Sequence, residues 1–147
     1  MTSLFLPRGI RNNNPGNIRL SQTRWQGQKP VQVDNAFVEF ETPVAGLRAL
    51  MRLLLTYHHK FALNTVESII NRYAPPHENA TDAYIHHVAR RLGVKRREVI
   101  NPSCHKTLVT LARAITSHEN GPAPVPYPRD WFEDVTYQAA LDLLPSP

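Results

Sequence analysis

Apolar residues recur at three- and four-residue spacing in four stretches of the chain, and this spacing predicts four amphipathic helices. They cover residues 43–60, 64–73, 81–92 and 105–120. Pro75-Pro76, Gly93 and Gly121 stand where three of them should end, and Asn64 with Glu67 has the spacing of a capping box at the start of the second. A last helix is predicted over residues 131–144, with Trp131, Val135 and Leu143 on its buried side.

The first forty residues have a different pattern. Residues 8–20, RGIRNNNPGNIRL, are rich in turn-forming Asn, Pro and Gly, which favours neither helix nor strand. Between Val31 and Phe40, apolar and polar residues alternate loosely around Asp34-Asn35, which indicates a short hairpin with Phe40 facing the core. The fold class predicted from the whole pattern is mainly α with a small β-hairpin.

A chain of 147 residues is large enough for one domain with a real core, so we predict a single domain over 1–147. Its core is expected over about 8–121. Prolines at alternate positions in 122–130 predict an extended connector, and the helix 131–144 is expected to pack on the core. No stretch is long and apolar enough to span a membrane, and the apolar run at the start is too short for a signal peptide.

The charge of the chain favours an anionic partner, since the net charge is +5 and the pI is about 9.7. A cluster of basic residues lies at the end of the third predicted helix. It is either a phosphate-binding patch or a solvated surface, and no helix-turn-helix, RNP or zinc-finger signature predicts specific nucleic-acid recognition. The cluster consists of Arg90, Arg91, Lys95, Arg96 and Arg97.

Residues that could hold a metal or act as a nucleophile are poorly arranged for either task. The pairs His58-His59 and His86-His87 point about 100° apart on a helix, so neither pair can chelate a metal alone. The lone Cys104 excludes an internal disulfide and stands beside His105 rather than opposite it. We therefore predict no metal and no cofactor.

Glu119 is the strongest candidate for chemistry. It lies eleven residues beyond Leu108, about three helical turns, and so falls on the apolar face of the helix that Gly121 ends. Partial burial and the negative end of the helix dipole should both raise its pKa. A carboxyl that stays protonated near neutral pH is what a glycosidase uses as general acid. The alternative is an exposed Glu at a fraying helix end.

The Asn-rich loop is the second candidate. Its amides, together with Arg19, suit a polar groove for acetamido sugars, and the alternative is a capped turn that joins two strands. Residues 13–19, NNPGNIR, then Trp25-Gln26-Gly27, then residues 37–40 resemble the NNLFGIK, WxG and F/Y motifs of a known family. It comprises the bacterial N-acetylglucosaminidases and lytic transglycosylases of the lysozyme superfamily. Residues 73–92 look like that family's Tyr-Ala and Asp-x-x-Tyr segment and the helix after it.

The order of elements differs from that family. There, a helix ending in Glu-Ser-Gly carries the catalytic acid and precedes the NN motif, whereas here Glu119-Asn120-Gly121 follows it. The resemblance therefore implies a lysozyme-like α+β fold that is circularly permuted, with Glu119 in one cleft with Asn13 and Asn14. Residues 8–121 are also similar to small phage-encoded proteins that begin RGIRNNNPGNIR and end HENG, many of them labelled virion structural or lysozyme-like.

The function implied by the resemblance is cleavage of the peptidoglycan glycan strand by a phage endolysin or virion lysin. Such a protein would be a monomer, made in the host cytoplasm without a signal peptide, and would act on the cell wall after release or from the virion. A hydrolase usually needs a second carboxylate, for which Glu39 and Glu41 are the best candidates, with Asp34 behind them. A lytic transglycosylase needs only Glu119.

The residues expected to bind substrate lie in the loop and on the second and third predicted helices. They are Asn13, Asn14, Asn17, Arg19, Tyr73 and Tyr84. Two other functions stay open at this point. One is a non-enzymatic phage structural or wall-binding protein that keeps the groove without turnover, and the other is a basic nucleic-acid-binding module.

Overall fold

The computed structural model describes residues 6–75 and 80–145 and is mainly helical. Six α-helices follow one another in this part of the chain. They are α1 (Arg8–Arg11), α2 (Pro43–Phe61), α3 (Val66–Tyr73), α4 (Thr81–Leu92), α5 (His105–Asn120) and α6 (Asp134–Asp142). Among the described residues no helix is long and apolar enough to cross a membrane.

The four helices predicted from apolar spacing, α2 to α5, are confirmed, and their apolar faces form the main core. Helix α5 lies at the centre, with α2, α4 and α6 against it, and α3 packs on α4. Thr65 and Ser68, rather than Asn64 and Glu67, form the capping box of α3. The side chain of Glu67 instead binds Arg96 and Arg97. Pro76 lies outside the described residues, and α3 ends at Tyr73.

The N-terminal segment differs from its prediction in two ways. Residues 8–11 form the one-turn helix α1, which the turn-rich composition did not indicate. The expected hairpin around Asp34-Asn35 is not confirmed, because the described residues show only isolated bridges, Arg19 with Phe37 and Gln28 with Phe40. Phe40 does point into the interior, where a second small core joins this segment to α2. That core consists of Ile18, Val38, Phe40 and Ala49.

The C-terminal helix begins later than predicted. Residues 129–131 form a short 3₁₀ helix, and α6 starts only at Asp134, so a different face turns inward. Trp131 is buried as expected, but Val135 and Leu143 are exposed, and Tyr137, Ala140 and Leu141 take the interior positions. The 3₁₀ segment is held by buried Asp130, whose carboxylate binds Arg91 at 2.7 Å and Arg113 at 3.3 Å.

Candidate functional site

The Asn-rich loop is folded around the buried side chain of Asn14. Its amide nitrogen donates to the carbonyl oxygens of Ile18 and Val38, and its amide oxygen accepts from the backbone N–H of Ile18, all at 2.9 Å. Asn14 is fully buried, so these three partners replace water completely. Asn13 likewise donates to the carbonyl oxygen of Phe40 at 3.1 Å. Both residues were predicted to shape the floor of a groove, and the structure shows their side chains bonded to backbone groups of residues 18, 38 and 40.

Replacing Asn14 with Ala should destabilise the protein by about 2–3 kcal/mol, because it leaves the carbonyl of Val38 and the N–H of Ile18 without partners. The carbonyl of Ile18 loses one of two donors and keeps the N–H of Val38 at 2.9 Å. Asn14→Asp is the matched control for size. Asp keeps the oxygen that accepts from the N–H of Ile18, but it places a second oxygen against the carbonyl oxygens of Ile18 and Val38, which repel it. The Asn14→Asp variant should therefore be destabilised as well. Urea unfolding of both variants would measure this, and a wild-type midpoint in either variant would contradict the role of Asn14 in holding the loop.

Glu119 lies in the last turn of α5, against the far end of the same loop. Its Oε1 accepts from the side-chain amide of Asn17 at 2.9 Å, and its Oε2 accepts from the hydroxyl of Tyr84 at 2.8 Å. The neighbouring Asn120 donates to the carbonyl oxygen of Pro15 at 2.8 Å. The end of α5 and the loop thus meet across about a hundred residues of sequence, through Asn17 rather than through Asn13 or Asn14.

The backbone of the loop is suited to this contact. Asn17 has φ of 50° and Asn13 has φ of 53°, in the left-handed region that Asn tolerates better than most residues. Tyr73 fixes the loop to the end of α3, since its hydroxyl donates to the carbonyl oxygen of Gly16. The loop backbone next to Asn17 is thus fixed by the side chain of Asn14 and by the hydrogen bond from Tyr73 to Gly16, and this positions Asn17 to contact Glu119.

A pocket of about 300 Å³ opens in front of Glu119. Of the residues predicted to bind substrate, Asn17, Arg19 and Tyr73 line it, and Tyr84 lies beside Glu119 at the edge of a second pocket. Four of the other lining side chains are large groups that the sequence did not indicate as part of a site, although Leu53 and Tyr57 lie on one face of α2 at helical spacing. These four are Phe37, Leu53, Tyr57 and Arg72.

The electrostatics of Glu119 follow its prediction. Burial raises the pKa of this carboxyl above its ordinary value, and the hydrogen bonds from Asn17 and Tyr84 and the nearby charge of Arg19 only partly oppose that rise. Burial also raises the pKa of the Tyr84 hydroxyl well above its usual range, so Tyr84 stays a donor. The site can therefore hold a proton on Glu119 at a higher pH than an exposed Glu can.

The candidate second carboxylates lie elsewhere. Asp34 binds Arg8 through two hydrogen bonds of 2.7 and 2.6 Å, and this pairing holds its pKa well below the usual range. The side chain of Glu39 accepts from the backbone N–H groups of Val33 and Asp34 at 2.6 and 2.8 Å. These bonds close the loop of residues 34–39. Glu41 is exposed. Among the described residues that line the pocket, Glu119 is the only acid.

No protein-family model matches the chain. The chain is 40% identical over 123 residues to "Protein P5" of Pseudoalteromonas phage PM2, a match that covers 82% of this chain and 75% of that protein. The chain belongs to the Protein P5 family. This membership gives it a bacteriophage context, and the name of the relative states no activity.

On the other side of Glu119, this member of the P5 family has a pair of histidines. His118 stacks on the ring of Tyr84 with centroids 3.8 Å apart, and its Nδ1 lies 2.9 Å from the Nδ1 of His87. Burial lowers the pKa of both rings, so they share one hydrogen bond as neutral imidazoles at neutral pH. The described residues contain no cluster of three or more side chains able to hold a metal ion.

Three of the five basic residues clustered at the end of α4 form ion pairs. Arg91 binds Asp130, Arg97 binds Glu67, and Arg96 bridges Glu67 at 2.6 Å and Asp82 at 2.7 Å. These pairs join α3, α4 and the 3₁₀ segment to one another. The arrangement favours the surface interpretation of the cluster over a phosphate-binding patch.

Proposed function

We propose that this protein cleaves the glycan strand of peptidoglycan at a β-1,4 bond, with Glu119 as the general acid. The observation that carries the proposal is a half-buried carboxyl with a raised pKa, held by Asn17 and Tyr84 at the edge of a pocket. Such a carboxyl can protonate the oxygen of the leaving sugar as the glycosidic bond breaks. Tyr84 and Asn17 orient it by occupying one lone pair on each oxygen.

The fold proposed for this chemistry is a circularly permuted lysozyme-like domain. It is supported by the contact between the Glu119-Asn120 helix end and residues 15–17, which joins elements from opposite ends of the chain. In the resembled family the same two elements are neighbours in sequence. A permutation preserves such a contact because it changes only the connections between elements.

The absence of a second acid among the described residues of the pocket favours a transglycosylase over a hydrolase. In this reaction Glu119 gives its proton to the leaving oxygen, and positive charge develops at C1 of the retained sugar. The 6-hydroxyl of that sugar then attacks its own C1 to form a 1,6-anhydro ring, and its proton returns to Glu119. Charge and protons balance without water or a second carboxylate.

The phage context and the positive charge of the chain fit a lysin that acts on an anionic wall. In this proposal the protein works as a monomer on peptidoglycan, either released at the end of infection or carried by the virion. Its partner is the insoluble sacculus, which the positive surface would help it to adsorb to. Glu39 and Glu41 are not part of the proposed catalytic machinery.

Digestion of purified sacculi tests the proposed reaction, with the soluble products identified by mass spectrometry. The expected products are muropeptides that end in 1,6-anhydro sugars, which are lighter by one water than products with reducing ends. Reducing ends would show a hydrolase and would contradict the single-acid reaction. Binding to sacculi without any soluble product would indicate the non-enzymatic wall-binding alternative.

A further inference from the structure

Arg72 is a residue of the pocket that the proposed chemistry does not use. It lies in the last turn of α3, next to Tyr73, and its exposed side chain forms part of the same pocket wall as Glu119. Its guanidinium stacks on the ring of Phe61, 4.2 Å from the centroid, with Tyr57 at 5.7 Å. Stacking engages the flat face of the group and leaves the N–H groups at its edge available to an acceptor.

Two other stacked guanidinium groups in this protein show what such an edge binds. Arg8 stacks on Phe37 at 4.7 Å and holds Asp34 through two hydrogen bonds. Arg113 stacks on Tyr137 at 4.2 Å and binds Asp130 at 3.3 Å. Arg72 has the same stacked geometry, but in the described part of the chain no carboxylate lies within ion-pairing distance of it.

The charge of the pocket wall also favours an anionic ligand. Arg72 contributes a positive charge to it, and Glu119 is the single acid among the described lining residues. A neutral sugar polymer would leave the edge of the Arg72 guanidinium to water. A polymer with carboxylate substituents would pair with that edge in the fork geometry that guanidinium and carboxylate share.

We propose that Arg72 binds a carboxylate carried by the glycan substrate and makes the pocket selective for an acidic over a neutral polymer of amino sugars. This inference rests on the proposed function. The carboxylate has two sources in peptidoglycan, the stem peptide and, once the peptide is removed, the lactyl group on the sugar ring. Arg72 is a specificity residue in this account and takes no part in proton transfer.

The test measures how much of each protein variant co-sediments with insoluble sacculi. Every variant also carries Glu119→Gln, so that the substrate stays intact. Arg72→Gln is compared with Arg52→Gln, which removes the same charge from an exposed position outside this pocket. Arg72→Lys keeps the charge without the fork. We expect Arg72→Gln to weaken binding about tenfold relative to Arg52→Gln, with Arg72→Lys between them.

The same chains are then tested on sacculi whose carboxylates have been converted to neutral amides, where the two Gln variants should bind equally. The variants are also compared on glycan stripped of stem peptides. If Arg72→Gln still binds more weakly than Arg52→Gln, the lactyl carboxylate is the group that Arg72 binds. If the difference disappears, that group is a carboxylate of the stem peptide. The inference would be overturned if the two Gln variants bound untreated sacculi equally. It would also be overturned if Arg72→Gln bound amidated sacculi as much more weakly than Arg52→Gln as it binds untreated ones. If binding to sacculi depends on Arg72 but the wild-type protein releases no soluble product, the proposed cleavage is wrong and the assignment of Arg72 to a carboxylate stands.

Discussion

Glu119→Gln is expected to lower kcat/KM for glycan cleavage by about 10²–10⁴-fold, the usual contribution of a general acid. Gln has nearly the same shape, so its side-chain oxygen can still accept from Asn17 while the protonable oxygen is lost. In wild type, activity should fall as pH rises through the raised pKa of Glu119, because only the protonated form donates. Initial rates on dye-labelled sacculi across a pH series would measure both effects.

The stability of this variant provides the control. Because folding raises the pKa of Glu119 above its ordinary 4.5, the folded state binds this proton more tightly than the unfolded state. Wild type therefore loses stability as pH rises from about 4.5 through the raised pKa, and Glu119→Gln does not. At neutral pH the variant should melt at the wild-type temperature or above it. A lower melting temperature would attribute its inactivity to unfolding.

Gly46→Ala should be the most destabilising of the alanine substitutions at the six glycines, at about 4 kcal/mol. Gly46 lies in the first turns of α2, and a Cβ there would stand 1.8 Å from the carbonyl oxygen of Asn13 and 3.1 Å from Cδ of Pro15. Because the nearer atom belongs to the backbone, no side-chain rotation relieves the overlap. The loop would have to leave α2, which also moves Asn17 away from Glu119.

Gly93→Ala is the matched control for this substitution. Its Cβ would meet nothing within 4 Å, so only its φ of 70° makes alanine unfavourable there, at about 1 kcal/mol. Thermal unfolding of the two variants beside wild type would compare steric overlap with backbone conformation. Equal melting temperatures for Gly46→Ala and Gly93→Ala would mean that the loop does not pack on α2 as closely as described.

Helices α2 to α5 could be predicted because an apolar face repeats in the sequence itself. The one-turn helix α1 could not, since it is stabilised by loop contacts such as the N–H of Asn14 donating to the carbonyl oxygen of Gly9 at 2.8 Å. The start of α6 was placed too early because Trp131 is buried from a 3₁₀ segment, outside the helical repeat that was assumed to include it.

In the site, Glu119 could be recognised because a carboxylate on an apolar helix face is unusual. The role of Asn14 could not, because its partner Val38 is distant in sequence and contributes only a backbone carbonyl. Arg72 on α3 and Tyr57 on α2 come together only in the tertiary structure, and no spacing within either helix encodes that contact. The unusual position of Glu119 thus indicated where a candidate site lies, and tertiary packing decides which other side chains line the pocket beside it.

The measurement that tests the central claim most directly is a count of new chain ends in purified sacculi treated with wild type and with Glu119→Gln. Glycan ends and free amino groups are quantified in the same digests, because glycan cleavage creates only the former and peptide or amide cleavage only the latter. The account predicts that glycan ends accumulate with wild type, remain at the level of the blank with Glu119→Gln, and are not accompanied by amino groups. No new glycan ends with wild type, or equal numbers with both chains, would contradict it.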